Sequence, residues 1–378
     1  MLCGSLWSPT DGGNARDRTT VSRTRHLPHS MMPWTIGCPV LPQDTMRTCK
    51  VPQTDLEVSR IAYGSAGLVS WDGTPLSPHD IAKAARVINT AYDSGITLFD
   101  HANCYAFGKS EAAFGEVLKQ TPGLRNRIVL QSKCGQRFAA GWRPGDPIEV
   151  DLSYEQIVRS VEGSLLRLAT DYLDILLLHV CDALVEPEEV AKAFDELKQS
   201  GKVRYFGVSN HTASQLELLQ QYVRHPLVAN QIHLGLMHSF PIADGLEFTL
   251  QIAKGTTRDH GYSGVAGAGT LDYCRLRGIQ VQAWSPLRGD LFISPSAANP
   301  HVEQVMRVLA DLAEKKDSTP SAVALAWLLR HPAGIIPIIG SSTPEHVAEN
   351  CDADRVTLSR EEWYALFAAA AQMQPRLI

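Results

Sequence analysis

A chain of 378 residues, 44% hydrophobic and 20% charged, can bury a large core, and a barrel of roughly 250 residues or more fits within it as one domain. The formal charge of -5, from 40 acidic and 35 basic residues, gives no broad basic field for nucleic acid, and no stretch reaches the roughly 18 apolar residues of a membrane helix. Eight cysteines show neither paired metal-ligand spacing nor the density of a disulfide scaffold, so they read as reduced thiols in a cytoplasm; the expected partner is a small molecule.

Residues 1–50 are expected to form a disordered extension. In the first 45, Arg16, Arg18, Arg23 and Arg25 are interspersed with Thr, Ser, Gly and Pro, and no apolar face repeats. The segment has no apolar h-region of a secretory signal, and Asp11, Asp17 and several prolines argue against a targeting helix.

Residues 51–378 read as one domain in which short apolar strands alternate with longer runs of helical period, the pattern of parallel strands joined by crossover helices. Strands are predicted at Arg60–Gly64, Thr97–Asp100, Ile128–Ser132, Leu173–His179, Tyr205–Ser209, Ala229–Ile232, Gln280–Trp284 and Ile335–Ile339. Helical patterns lie near 79–94, 109–120, 154–170, 186–200, 212–223, 269–277, 301–331 and 360–371. Eight such units predict an α/β fold, a (β/α)8 TIM barrel with the loops after its strands on one working face. An open doubly wound sheet is disfavoured because no Gly-x-Gly-x-x-Gly follows the first strand. The Gly- and Thr-rich stretch at about 237–268 is too long for an ordinary connection and is expected to be an inserted loop acting as a substrate-side flap.

Asp100, Tyr105, Lys133 and His179 sit at or just past the carboxyl ends of apolar runs, as if aimed at one site. A tyrosine has an unperturbed pKa of about 10, and a nearby ammonium favours its phenolate. Lys133 is the candidate for that ammonium, and Asp100 the candidate anion that keeps a buried lysine charged. This combination points to carbonyl reduction. Two alternatives use the same residues: Lys133 as a Schiff-base nucleophile, as in an aldolase, and Cys104, Cys134 and Cys181 as thiols ringing the pocket. Those thiols would act either as metal ligands with His179 or as a redox-sensitive group with a pKa lowered by Lys133.

Residues 55 to 372 resemble the aldo-keto reductases. The matches run in order through Gly95-Ile-Thr-Leu-Phe-Asp-His-Ala-Asn-Cys-Tyr105, Gly108-Lys-Ser-Glu111, Ser132-Lys133, Tyr172-Leu-Asp-Ile-Leu-Leu-Leu-His179, Gly201 to Asn210, Gln231, Trp284-Ser-Pro-Leu287 and Pro337-Ile-Ile-Gly340. The Asp100-His-Ala opening and Glu111-Ala-Ala-Phe-Gly115 are similar to a bacterial oxidoreductase group.

The resemblance implies an NADP-dependent reductase with Tyr105 as general acid, Lys133 and Asp100 tuning it, and His179 orienting the carbonyl. It also implies that Ser209, Asn210 and Gln231 hold the nicotinamide carboxamide and that Trp284 stacks on the ring. Ser285, Leu287 and Gly289 would cover the pyrophosphate, and Gly340, Ser341, Ser342, Thr343, His346 and Asn350 would hold the adenosine phosphate. The implied cofactor is NADPH, with NADH still open because His346 stands where the family often has arginine, and a largely neutral imidazole cannot reproduce a guanidinium fork. Asn103 stands where the family often has Asp, and His179-Val-Cys-Asp182 where it often has His-x-Pro-Asp. Some family members serve mainly as cofactor-binding regulatory partners of other proteins, and the complete tetrad argues here for an enzyme.

Overall fold

The computed structural model describes residues 46–138, 148–243, 269–287 and 300–371. Eight parallel strands close into a barrel in chain order. With β1 (Thr48–Lys50) and β2 (Glu57–Ser59) forming an antiparallel hairpin, the barrel strands are β3 (Ala62–Gly64), β4 (Leu98–Asp100), β5 (Val129–Cys134), β8 (Leu173–Leu178), β9 (Val203–Ser209), β10 (Leu227–His233), β11 (Gln280–Trp284) and β12 (Ile336–Ile339). A second small hairpin, β6 (Gln136–Arg137) with β7 (Glu149–Val150), follows β5. Strand β12 pairs back onto β3 through Ile338 and Ile339, and this closure leaves the barrel sheet without a free edge.

The strands are recognisable because both faces of a parallel barrel strand are buried, one against the interior and one against the helices. Leu173–Leu178 is buried at every position. Inside the barrel, Ala62, Leu98, Val129, Ile175, Leu177, Ala229, Ile336 and Ile338 form one apolar cluster. Val51, Leu56 and Val58 join that cluster from the β1–β2 hairpin, which therefore closes the end of the barrel where the strands begin. A larger apolar layer fills the space between strands and helices.

Local signals set the helix starts. Ser77 and Asp80 form a reciprocal capping box on the helix Pro78–Asp93, as do Thr212 with Gln215 on Ala213–Tyr222 and Ser359 with Glu362 on Arg360–Ala370. That last helix is docked by Trp363, whose indole lies 5.0 Å from Trp327 at 10° and exchanges N–H to carbonyl hydrogen bonds with it at 3.0 and 3.2 Å.

Two expectations need correction. Residues 48–50, assigned to the disordered extension, form a strand held to Glu57–Ser59; a three-residue strand is too short to register as a periodicity. The pattern at 301–331 is two helices, Pro300–Lys315 and Pro320–Leu329, separated where Asp317 turns to a positive φ of 51° and Thr319 caps a new helix that has Pro320 in its first turn. Residues 1–45 lie outside the described residues, and so does most of the expected flap at 237–268, of which residues 237–243 are described and end in a short helical turn, Phe240–Ala243.

Candidate active site

The four residues expected to act together do meet at the carboxyl end of the barrel. Asp100 ends β4, Lys133 is the penultimate residue of β5, His179 follows β8, and Tyr105 sits on the loop after β4. That loop is shaped by consecutive positive φ angles at Ala106 (47°), Phe107 (59°) and Gly108 (84°). Non-glycine residues rarely adopt this conformation, and such strain gathers at working sites.

Lys133 is fully buried and donates to Asp100 Oδ2 at 2.6 Å, to the carbonyl of His101 at 2.9 Å and to the Tyr105 hydroxyl oxygen at 3.1 Å. An ammonium has three hydrogens, so all three are engaged. Burial disfavours the charged lysine, but Asp100 and Tyr105 outweigh it and its pKa is raised. Tyr105 accepts from Lys133, which leaves its own hydrogen to be given elsewhere. Its ring meets His179 edge-on at 5.7 Å.

The expected lowering of the Tyr105 pKa by Lys133 is present but outweighed. Burial pushes the phenol up to about 12, with the ammonium opposing. Burial and then Lys133 hold His179 well below its usual pKa, so the imidazole is neutral.

Cys104 lies 3.7 Å from His179 Nδ1, and burial pushes its thiol up to about 12, again against Lys133. A lowered, reactive thiol is therefore not what the fold builds. Burial likewise pushes Cys134 up to about 12 and Cys181 up to about 11, the latter donating to the Asn210 carbonyl. Among the described residues no group of three His, Cys, Asp or Glu is placed to hold a metal.

A cavity of about 1090 Å³ runs from Tyr105 and His179 past Gln231 and Trp284 to Gly340, Ser341, His346 and Asn350. Ser209, Asn210, Ser285 and Leu287 also line it. Ser342 and Thr343 are in the segment that leads into the helix Pro344–Cys351, whose N-terminus carries no side-chain cap. Gly289 lies outside the described residues.

The wall is already ordered. Ser209 Oγ donates to the Gln231 carbonyl at 2.8 Å, and Asn210, in the left-handed region at φ 60°, accepts from Trp284 Nε1 at 2.9 Å while donating to the His179 carbonyl at 3.2 Å. Trp284 packs one face on His233 at 4.2 Å. Gly67 lies against Gly340, where an added Cβ would stand 3.2 Å from the Gly340 carbonyl, so a side chain there would crowd the cavity floor.

His101, which sequence left undecided, packs beneath the site. It is bonded through Nδ1 to Ser65 and meets Phe114 edge-on. Asn103 donates to Ser160, and Cys181, standing where the family pattern has proline, donates to the Asn210 carbonyl at 3.0 Å, so both altered positions serve loop packing.

Two residues under the site were not anticipated. Gln131 and Gln282 are fully buried in β5 and β11 and contact the Asp100–Gln231 pair. The available signal was a glutamine within an otherwise apolar run, a position where a polar side chain needs a buried partner. Trp71, also unanticipated, stands 6.4 Å from Tyr105 and 6.1 Å from Phe107.

Residues 60–370 match the model of the aldo/keto reductase family. The chain is 35% identical to the uncharacterized oxidoreductase YcsN of Bacillus subtilis, with 83% of this chain and 95% of that protein covered. It is 34% identical to a 6-dehydroglucose reductase of Agrobacterium fabrum over the same shares. The glycerol dehydrogenase AKR11B4 of Gluconobacter oxydans has a similar structure, with TM-score 0.70, 25% identity, and 88% of this chain and 97% of that one covered. A closed parallel barrel, a buried Lys133–Asp100 pair against Tyr105, and these likenesses lead to one conclusion: the chain belongs to the aldo/keto reductase family of NAD(P)H-dependent carbonyl reductases.

Proposed function

We propose that the protein reduces an aldehyde or ketone to an alcohol, with NADPH as the preferred donor and NADH accepted, and with Tyr105 as general acid. The observation that supports this reading most is the use of all three Lys133 hydrogens, one of them on the Tyr105 oxygen. The tyrosine proton is thereby directed away from the lysine. A pKa of about 12 keeps that proton in place at neutral pH, and a developing alkoxide is a stronger base than a phenolate and takes it. Lys133 then stands beside the new phenolate charge. Neutral His179 is suited to donate a hydrogen bond to the carbonyl oxygen and hold it near Tyr105.

The residues present fit a nicotinamide dinucleotide. Ser209, Asn210 and Gln231 would hold the carboxamide, Trp284 offers a flat apolar face, and Ser285, Leu287 and Gly289 would cover the pyrophosphate. Gly340, Ser341, Ser342, Thr343, His346 and Asn350 would take the adenosine phosphate beside a helix N-terminus. When bound, the cofactor supplies hydride to the carbonyl carbon. No lysine or arginine lines the adenosine end among the described residues, while Glu349 does, so the preference for NADPH is expected to be small.

The aldolase alternative is disfavoured, because a lysine kept charged by three hydrogen bonds is a poor nucleophile. The 6-dehydroglucose reductase relative makes a sugar-derived carbonyl the first substrate to try. The test is a screen of aldehydes and ketones followed through oxidation of NADPH or NADH, with borohydride trapping in parallel. Reduction without a lysine adduct is expected; an adduct on Lys133 without cofactor oxidation would overturn the proposal. In the same assay His346→Arg is expected to raise the preference for NADPH about tenfold.

A further inference from the structure

Beneath the Asp100–Lys133 pair lies a closed set of amide hydrogen bonds. Asp100 Oδ2 takes Lys133, while Oδ1 accepts from Gln131 Nε2 at 2.6 Å and from Gln231 Nε2 at 3.0 Å. Gln131 and Gln282 face each other as a reciprocal pair, with Gln131 Nε2 donating to Gln282 Oε1 at 2.8 Å and Gln282 Nε2 donating to Gln131 Oε1 at 2.9 Å. Gln282 Oε1 also accepts from Gln231 Nε2 at 3.0 Å. Gln131 and Gln282 are fully buried, and Gln231 and Asp100 are 2% exposed.

Charge sets the direction of every one of these amides. A carboxylate only accepts, so Gln131 and Gln231 must both turn their nitrogens toward Asp100. Gln131 then offers its oxygen to Gln282, which must answer with its nitrogen and turn its own oxygen to the other two. Reversing any single amide would set oxygen against oxygen or N–H against N–H where no water can compensate. Both hydrogens of the Gln231 nitrogen are consumed in this way. Its carbonyl oxygen is the remaining polar atom of a side chain that lines the cavity.

We infer that Gln131 and Gln282 are positioning residues: with Asp100 they form a polarised amide chain that fixes Gln231 as a hydrogen-bond acceptor toward the ligand. Neither glutamine lines the cavity itself, so both act through Gln231. The inference rests on the reading that the cavity takes a nicotinamide dinucleotide, whose carboxamide carries the N–H donors such an acceptor selects. It links the charged pair that serves the tyrosine to the choice of ring substituent.

Calorimetric titration of the whole protein with oxidised NADP and with its 3-acetylpyridine analogue tests this. The analogue keeps the carbonyl and replaces the amide nitrogen with a methyl group. Wild type is expected to bind the analogue about tenfold more weakly, the loss of one hydrogen bond. In Gln282→Leu, and separately in Gln131→Leu, which leaves Gln282 without its reciprocal partner, Gln231 keeps Asp100 as its one firm anchor, its oxygen is no longer held in place toward the ligand and the ratio is expected to fall to within about twofold. Near-ultraviolet circular dichroism identifies which variants are folded, and either folded variant decides the matter. Retention of the tenfold ratio in a folded variant would overturn the inference, as would equal binding of both compounds by wild type. Failure of wild type to bind either compound would instead overturn the cofactor reading beneath it.

Discussion

Tyr105 and His179 owe their charge states to burial more than to each other. The phenol, pushed up to about 12, is protonated at neutral pH, and the acid function proposed for it would be lost only as pH rises toward that value. His179, held well below its usual pKa by burial and by Lys133, is neutral across the same range. Carbonyl reduction is therefore expected to show a level kcat/KM from about pH 6 to 9. An ionisation near pH 6.5 that disappears in His179→Gln would show that the histidine is charged instead. That Asp100, Tyr105, Lys133 and His179 meet was legible in the sequence, since acid–base side chains at strand ends carry a positional signal. The amide chain of Gln131, Gln231 and Gln282 was not, because its partners come from three separate strands, two of them 151 positions apart. The direction of the Tyr105 shift was missed for a related reason: the charge beside it could be guessed from spacing, but the depth of burial could not.

The alternation of strands and helices was legible because apolar runs buried on both faces differ in length from amphipathic helices. The split at Thr319-Pro320 was signalled by a capping threonine before a proline, yet the apolar period continues through it. Element packing also depends on contacts that no single segment announces. Gly115 lies in the helix Lys109–Gln120 where it crosses Tyr154–Leu168, and an added Cβ would come within 2.1 Å of the Arg167 carbonyl oxygen. Alanine ordinarily favours a helix over glycine by about 1 kcal/mol. Here the clash is with backbone, which cannot swing aside, so Gly115→Ala is expected to destabilise the fold by about 2 kcal/mol or more. Urea unfolding measures this directly, and an unchanged or raised midpoint would show that the two helices can separate without loss.

The closed barrel stores histidines in neutral form. Burial lowers the His101 pKa to about 3 and that of His211 to about 4. In the unfolded chain both would titrate near 6.5. Below that pH the unfolded state binds protons that the folded state refuses, so stability is full above about pH 6.5 and falls as pH drops. Each histidine contributes a loss of about 1.4 kcal/mol per pH unit until its folded pKa is reached. Thermal melting between about pH 7 and 4.5 is expected to show a declining Tm, and a constant Tm across that window would contradict the burial of these neutral imidazoles. The barrel as a whole was readable from eight units in order. Its plug was not, because the β1–β2 hairpin consists of two three-residue strands.

The most direct measurement is single-turnover carbonyl reduction by Tyr105→Phe, read beside calorimetric binding of NADPH to the same variant. Removing only the hydroxyl is expected to slow reduction by a factor of about 10² to 10⁴ while leaving cofactor affinity within about twofold, because a general acid acts on the transition state. Near-normal reduction with normal binding would show that the proton comes from elsewhere and that the Lys133–Tyr105 contact is not the source of the chemistry.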